Sequence, residues 1–212
     1  MKMSTGALAL VAVMVTPLVG AAQAEVSGNV GWVSEYFYRG VPQKVSSASG
    51  GLDLTASNFY MGSWAADVGD GNEIDLYLGF GTEMDDFSVS VGGTGYFYTG
   101  GFDDTYLEGN LNVGYAAISG EFSYGKYKTT PAELDYWFLG VTVEGENGLF
   151  ATFGTFGKDL DGYTLEGGYG LSVADLDLSA SWIFTNKDLP GQTANDHTVV
   201  FGISHTFDIN TN

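Results

Sequence analysis

Along most of the chain apolar and polar residues alternate one for one, in stretches of about ten residues separated by turn-forming clusters. Leu107, Gly109, Leu111, Val113 and Tyr115 alternate with Tyr106, Glu108, Asn110, Asn112 and Gly114. Phe87, Val89 and Val91 alternate with Ser88, Ser90 and Gly92. Leu176, Leu178, Ala180, Trp182 and Phe184 alternate with Asp177, Ser179 and Ser181, and Val199, Phe201, Ile203 and Phe207 end the series. A period of two places successive side chains on opposite faces, so each stretch is a β-strand with one apolar and one polar face. The pattern predicts twelve strands, over 26–39, 48–56, 59–68, 73–83, 87–98, 105–115, 118–127, 134–144, 149–157, 163–173, 176–186 and 197–207. The third, eighth and ninth do not reveal which face is which, because Phe59-Tyr60-Met61 and Tyr136-Trp137-Phe138-Leu139 are apolar on both.

The even-numbered connections are short: Ser57-Asn58, Met84-Asp85-Asp86, Ala116-Ala117, Gly145-Glu146-Asn147-Gly148 and Ala174-Asp175. The odd-numbered ones, 40–47, 69–72, 99–104, 128–133, 158–162 and 187–196, are mostly longer. In an up-and-down meander all odd connections fall at one end, and such asymmetry is that of a bacterial transmembrane barrel with short periplasmic turns and longer outer loops. Alternation alone also fits a soluble barrel or sandwich. Aromatic placement separates the two: Tyr36, Tyr38, Phe97, Tyr163 and Phe184 fall toward the long-loop end, and Phe80, Phe87, Tyr115 and Phe207 toward the other. Two belts of rings suit two lipid–water interfaces. The expected fold class is therefore all-β, an up-and-down antiparallel transmembrane β-barrel of about twelve strands.

Composition adds compartment and charge. Residues 1–24 read as a secretory signal peptide: Lys2 is its only charge, Ala7 to Val15 form the apolar region, and Ala22-Gln23-Ala24 fits the cleavage site. Residues 25–212 are then one barrel domain, exported to the bacterial outer membrane. Cysteine is absent, so no disulfide framework stabilises it. The formal net charge of −19 argues against nucleic acid as a partner.

A run near the N-terminus carries a resemblance. Val30-Gly31-Trp32-Val33-Ser34-Glu35-Tyr36-Phe37-Tyr38-Arg39-Gly40-Val41-Pro42-Gln43, followed by Gly50-Gly51-Leu52-Asp53, Phe59-Tyr60-Met61-Gly62-Ser63-Trp64 and Glu73-Ile74-Asp75-Leu76-Tyr77-Leu78-Gly79, is similar to the opening of the TorF-like porins. These are proteobacterial outer-membrane proteins of largely unknown function. Glu35 stands where that group usually has Asp, and Pro42 where it usually has Ser. The resemblance implies an outer-membrane location and a pore of unspecified substrate. A second one lies in the last strand: Gly202-x-x-His205-x-Phe207 is similar to the terminal assembly signal of outer-membrane proteins, with His205 in place of the usual aromatic residue.

Candidate chemistry is sparse. Arg39, the only arginine, and Glu35 share the luminal parity of the first strand, and Asp75, Glu108 and Glu166 face the lumen in the outer half of other strands. Asp53, Glu121 and Asp177 are luminal further down, and Lys44 belongs to the first loop. An acidic lumen attracts cations, yet the same carboxylates can close a narrow bore by pairing with Arg39 and tyrosines. Twelve strands lie between filled and open barrels, so strand count leaves both outcomes open. The acidic loops, with Asp67, Asp70, Asn72 and Glu73 or Asp159 and Asp161, lack EF-hand spacing; neither a metal site nor a cofactor is expected. There is no Gly-x-Ser-x-Gly elbow, and Asp196 and His197 point to opposite faces of one strand, so the chain does not read as an enzyme. The expected function is passive diffusion of small hydrophilic solutes, with cation preference. The alternative is a closed structural or surface-interaction barrel. Expected partners are outer-membrane lipids and lipopolysaccharide, the outer-membrane assembly machinery, and the permeating solutes or cations.

Overall fold

Twelve antiparallel strands close on themselves in sequence order, and β1 completes the circle by pairing with β12. The computed structural model describes residues 24–209, and the expected signal peptide, apart from Ala24, lies outside the described residues. The strands are β1 (Glu25–Tyr38), β2 (Val41–Ala56), β3 (Phe59–Asp67), β4 (Asn72–Met84), β5 (Phe87–Tyr98), β6 (Tyr106–Tyr115), β7 (Ile118–Tyr127), β8 (Leu134–Glu144), β9 (Leu149–Lys158), β10 (Tyr163–Val173), β11 (Leu176–Thr185) and β12 (Asp196–Asp208). Closure gives every strand two neighbours, so over the paired length the backbone is satisfied without water, as a hydrocarbon environment requires.

Register converts the alternation into an inside and an outside. On β4, Glu73, Asp75 and Tyr77 are buried toward the bore, while Leu76, Leu78 and Phe80 are exposed. Cross-strand partners keep the sides matched: Asp75 lies opposite Tyr96, and Tyr77 opposite Thr94. Val91, Leu111, Phe122, Leu139, Phe153, Leu171, Trp182 and Phe201 continue the exposed apolar exterior around the barrel. Such a continuous apolar surface is that of a transmembrane barrel. Phe97 and Tyr163 stand outward at the long-loop end, and Phe80, Phe87, Tyr115 and Phe207 at the other. The ambiguous strands resolve the same way, Tyr136, Phe138 and Phe156 inward and Leu139 and Phe153 outward.

The first connection departs from expectation. Residues 40–47 are not a loop: β2 begins at Val41, and Arg39 and Gly40 form a two-residue turn with φ of 48° and 80°. Both values are positive, the signature of a primed hairpin turn. Lys44 accordingly lies on β2, ion-paired with Asp67. Pairing of β1 with β12 stops at Val33, and pairing of β2 with β3 starts at Ser49. The ladder between those points is internal to the β1–β2 hairpin, and its register shifts between Tyr36 and Phe37. Freed from both neighbours and kinked there, the hairpin bends into the bore. Tyr36 and Tyr38 therefore do not belong to the outer aromatic belt. Tyr36 packs inside with Ala66 and Val68, and Phe37 with Ile183 and Val200.

Candidate functional site

The hairpin brings its turn to the far wall. Gly40 approaches β10 so closely that a Cβ there would collide with the Thr164 side chain, and its carbonyl accepts a 2.9 Å hydrogen bond from Thr185 Oγ1. Glycine is required both by this contact and by the positive φ. Val41 packs against Tyr136, Phe138, Phe156 and Leu189, the last contributed by the β11–β12 loop.

Arg39 reaches across the bore from this turn. Its Nη1 donates to Glu108 Oε1 at 2.5 Å and its Nη2 to Glu108 Oε2 at 3.0 Å, a two-pronged geometry that suits guanidinium and carboxylate. Nη2 also donates to Ser123 Oγ at 2.9 Å and to Glu121. The guanidinium lies 4.4 Å from the Phe138 ring centroid and 4.9 Å from that of Tyr38, so aromatic faces supply further cation stabilisation. Glu108 is the hub: Tyr136 donates to it at 2.7 Å, Tyr96 at 3.1 Å and Asn110 at 3.0 Å. Each carboxylate oxygen is satisfied, as a buried charge requires.

The predicted luminal residues divide into groups. The structure brings Arg39, Glu108 and Glu121 into one network, although Glu121 was expected deeper; it does sit lower on the wall, and the long arginine spans the difference. Asp75 is buried beside Tyr96 with its Oδ1 lacking a hydrogen-bond partner. Glu35 and Glu166 are half-buried and outside the hydrogen bonds of Arg39. Asp53 accepts from Tyr77 and, at 3.3 Å, from Asn29. Asp177 takes a 2.5 Å bond from Ser172 near the short-turn end. Missing from the sequence reading was Glu73 as a luminal residue: it is fully buried and accepts from Tyr36 at 2.7 Å. Its odd parity on β4, shared with Asp75, is the signal that could have found it. On the last strand Gly202 faces inward, and the rings of His205 and Phe207 stack with centroids 5.8 Å apart.

Of the loop acids, Asp67 pairs with Lys44, Asp159 accepts from the Asp135 amide at 2.9 Å, and Asp161 accepts from the Gly162 amide at 2.7 Å. Below the hairpin the wall turns to half-buried polar side chains, among them Asn29, Ser90, Asn112, Thr142 and Ser181. The result is a bore filled at one level by aromatic rings and a charge network, and polar beneath it.

Fold and lining together define a closed up-and-down antiparallel β-barrel, apolar outside and polar within. The chain belongs to a bacterial family of unknown function, Gcw_chp, whose profile matches residues 19–207. Among solved structures it is similar to a chain from work on the in-meso crystallization of membrane proteins, with a TM-score of 0.61 at 8% identity over 89% of this chain and 85% of that one. It is also similar to the NanC porin, with a TM-score of 0.51 at 10% identity, covering 85% of this chain and 98% of that one. Against the outer membrane protein OpdK from Pseudomonas aeruginosa the TM-score is 0.44 at 12% identity, over 84% of this chain and 61% of that one. No curated protein matches the chain in sequence.

Proposed function

We propose that this protein is an outer-membrane channel for passive diffusion of small hydrophilic solutes, cation-preferring, whose bore is narrowed by the β1–β2 hairpin. One observation carries the reading: a closed barrel that is apolar outside encloses polar walls and an excess of carboxylates over cationic side chains. Low-dielectric walls focus the field of those carboxylates on a permeating ion. The family of TorF-like porins that the N-terminal run resembles, and the porin architecture of the structural neighbours, support the same reading. Residues 1–24 would direct export and be cleaved, and Gly202, His205 and Phe207 would engage the assembly machinery. Lipids and lipopolysaccharide would cover the exterior. Transport of this kind involves no cofactor and no chemical turnover.

The filled level at the hairpin favours a second reading, a closed structural or surface-interaction barrel. Arg39, Tyr136 and Phe138 are each buried there, with Leu189 above them. Planar-bilayer recording of the purified protein separates the two. The channel reading expects small unitary currents and a reversal potential in a salt gradient that indicates cation preference. A silent barrel, or one preferring anions, would contradict it.

A further inference from the structure

The charges inside the barrel do not balance. Among the described residues, four carboxylates, Glu73, Asp75, Glu108 and Glu121, are buried with 0–9% of their surface exposed, against one buried cation, Arg39. Arg39 is committed to Glu108 and Glu121. Glu73 and Asp75 stand two apart on β4, on the same face, where alternate residues are about 7 Å apart along a strand. Each keeps one buried oxygen without a hydrogen-bond partner, Glu73 Oε2 and Asp75 Oδ1. A third such atom is the Tyr38 hydroxyl of the hairpin. It belongs to the same region: the Tyr38 ring lies 5.2 Å from that of Tyr96, which pairs directly with Asp75, while Tyr36 of the same hairpin holds the other oxygen of Glu73.

Unpaired buried carboxylates are strongly disfavoured. The free atoms are all oxygen, which selects hard cations over transition metals. Two carboxylates and a hydroxyl suit calcium, which tolerates variable geometry and completes its shell with water, better than magnesium, which demands an octahedron. We propose that Glu73 and Asp75, with Tyr38, bind a hard cation, calcium by preference, between β4 and the inward hairpin. The ion fastens the hairpin to β4, beside the Arg39 network, one member of which, Tyr96, pairs directly with Asp75. The inference rests on the acidic lumen of the channel reading but not on conduction, and so it is decided by calcium retention and melting temperature rather than by current.

The test uses the chelator-treated protein in detergent, the double variant Glu73→Gln with Asp75→Asn, and a control in which Asp85→Asn and Asp86→Asn remove two carboxylates from a short turn. Calcium retained after dialysis against concentrated sodium chloride is measured, since high salt screens weak surface binding. Melting temperature is compared with calcium and with sodium at matched ionic strength. Parent and control should each retain a single calcium ion and melt higher with calcium, because a ligand that binds only the folded state stabilises it. The Glu73/Asp75 variant should lose both effects. If that variant does not fold, Tyr38→Phe should lower retention relative to the parent. A parent that retains no calcium overturns the proposal, as does a folded Glu73/Asp75 variant that retains as much as the parent. A double variant that melts above the parent whether or not calcium is present would assign the excess charge to protons instead. Calcium retained by a barrel that carries no current would leave the site standing and remove the channel.

Discussion

Arg39 carries more of the interior than any other single side chain. It satisfies both oxygens of Glu108, reaches Glu121 and Ser123, and lies against two rings. Arg39→Gln would leave Glu108 and Glu121 buried without their counter-charge, and breaking a buried pair this way costs about 3–5 kcal/mol. The expected outcome is a markedly lower midpoint in urea unfolding. Lysine would not restore it, because a point charge cannot reproduce the two-pronged contact. An Arg39→Gln midpoint equal to the parent's would mean that Glu108 is held by Tyr96, Tyr136 and Asn110 alone. The luminal parity of Arg39 and Glu108 is legible in the sequence; their contact is not. The two are 69 residues apart, and Arg39 and Glu121 are 82 apart. Only closure of the barrel and inward bending of the turn bring them together, and neither leaves a local trace.

At the scale of elements, strand identity followed from alternation wherever one face meets an apolar exterior. In β6 the outward Leu107, Leu111 and Val113 leave one register open, since a slip of one residue would turn them all inward. The stretch from Val41 to Ser47 gives no such signal. It pairs only with β1 inside the hairpin, and its Pro, Gln, Lys and Ser residues resemble a loop. The hairpin's seating can be measured directly because the protein has no cysteine. A Val41→Cys thiol, packed against Tyr136 and Phe138, should resist a membrane-impermeant maleimide in the folded barrel. Adding Arg39→Gln should make it react faster by releasing the turn. Rapid labelling of Val41→Cys alone would show that the hairpin does not rest in the bore.

Across the whole molecule, the apolar exterior and polar interior make opposite predictions for adjacent residues. Ala180 pairs with Phe201 and Tyr169 and points outward, while Ser181 points inward. Ala180→Arg should cost about 2–4 kcal/mol near the bilayer midplane, and Ser181→Arg much less if the lower bore is hydrated. Refolding into lipid vesicles at graded urea reads both, and the reverse order would turn the barrel inside out. The channel itself is tested most directly by paired bilayer recordings of the parent and a variant in which residues 36–44 are replaced by a short Gly-Ser turn. A hairpin-narrowed, acid-lined channel predicts small cation-selective currents from the parent and larger ones, still cation-selective, from the variant. No current from either, or equal currents from both, would contradict it.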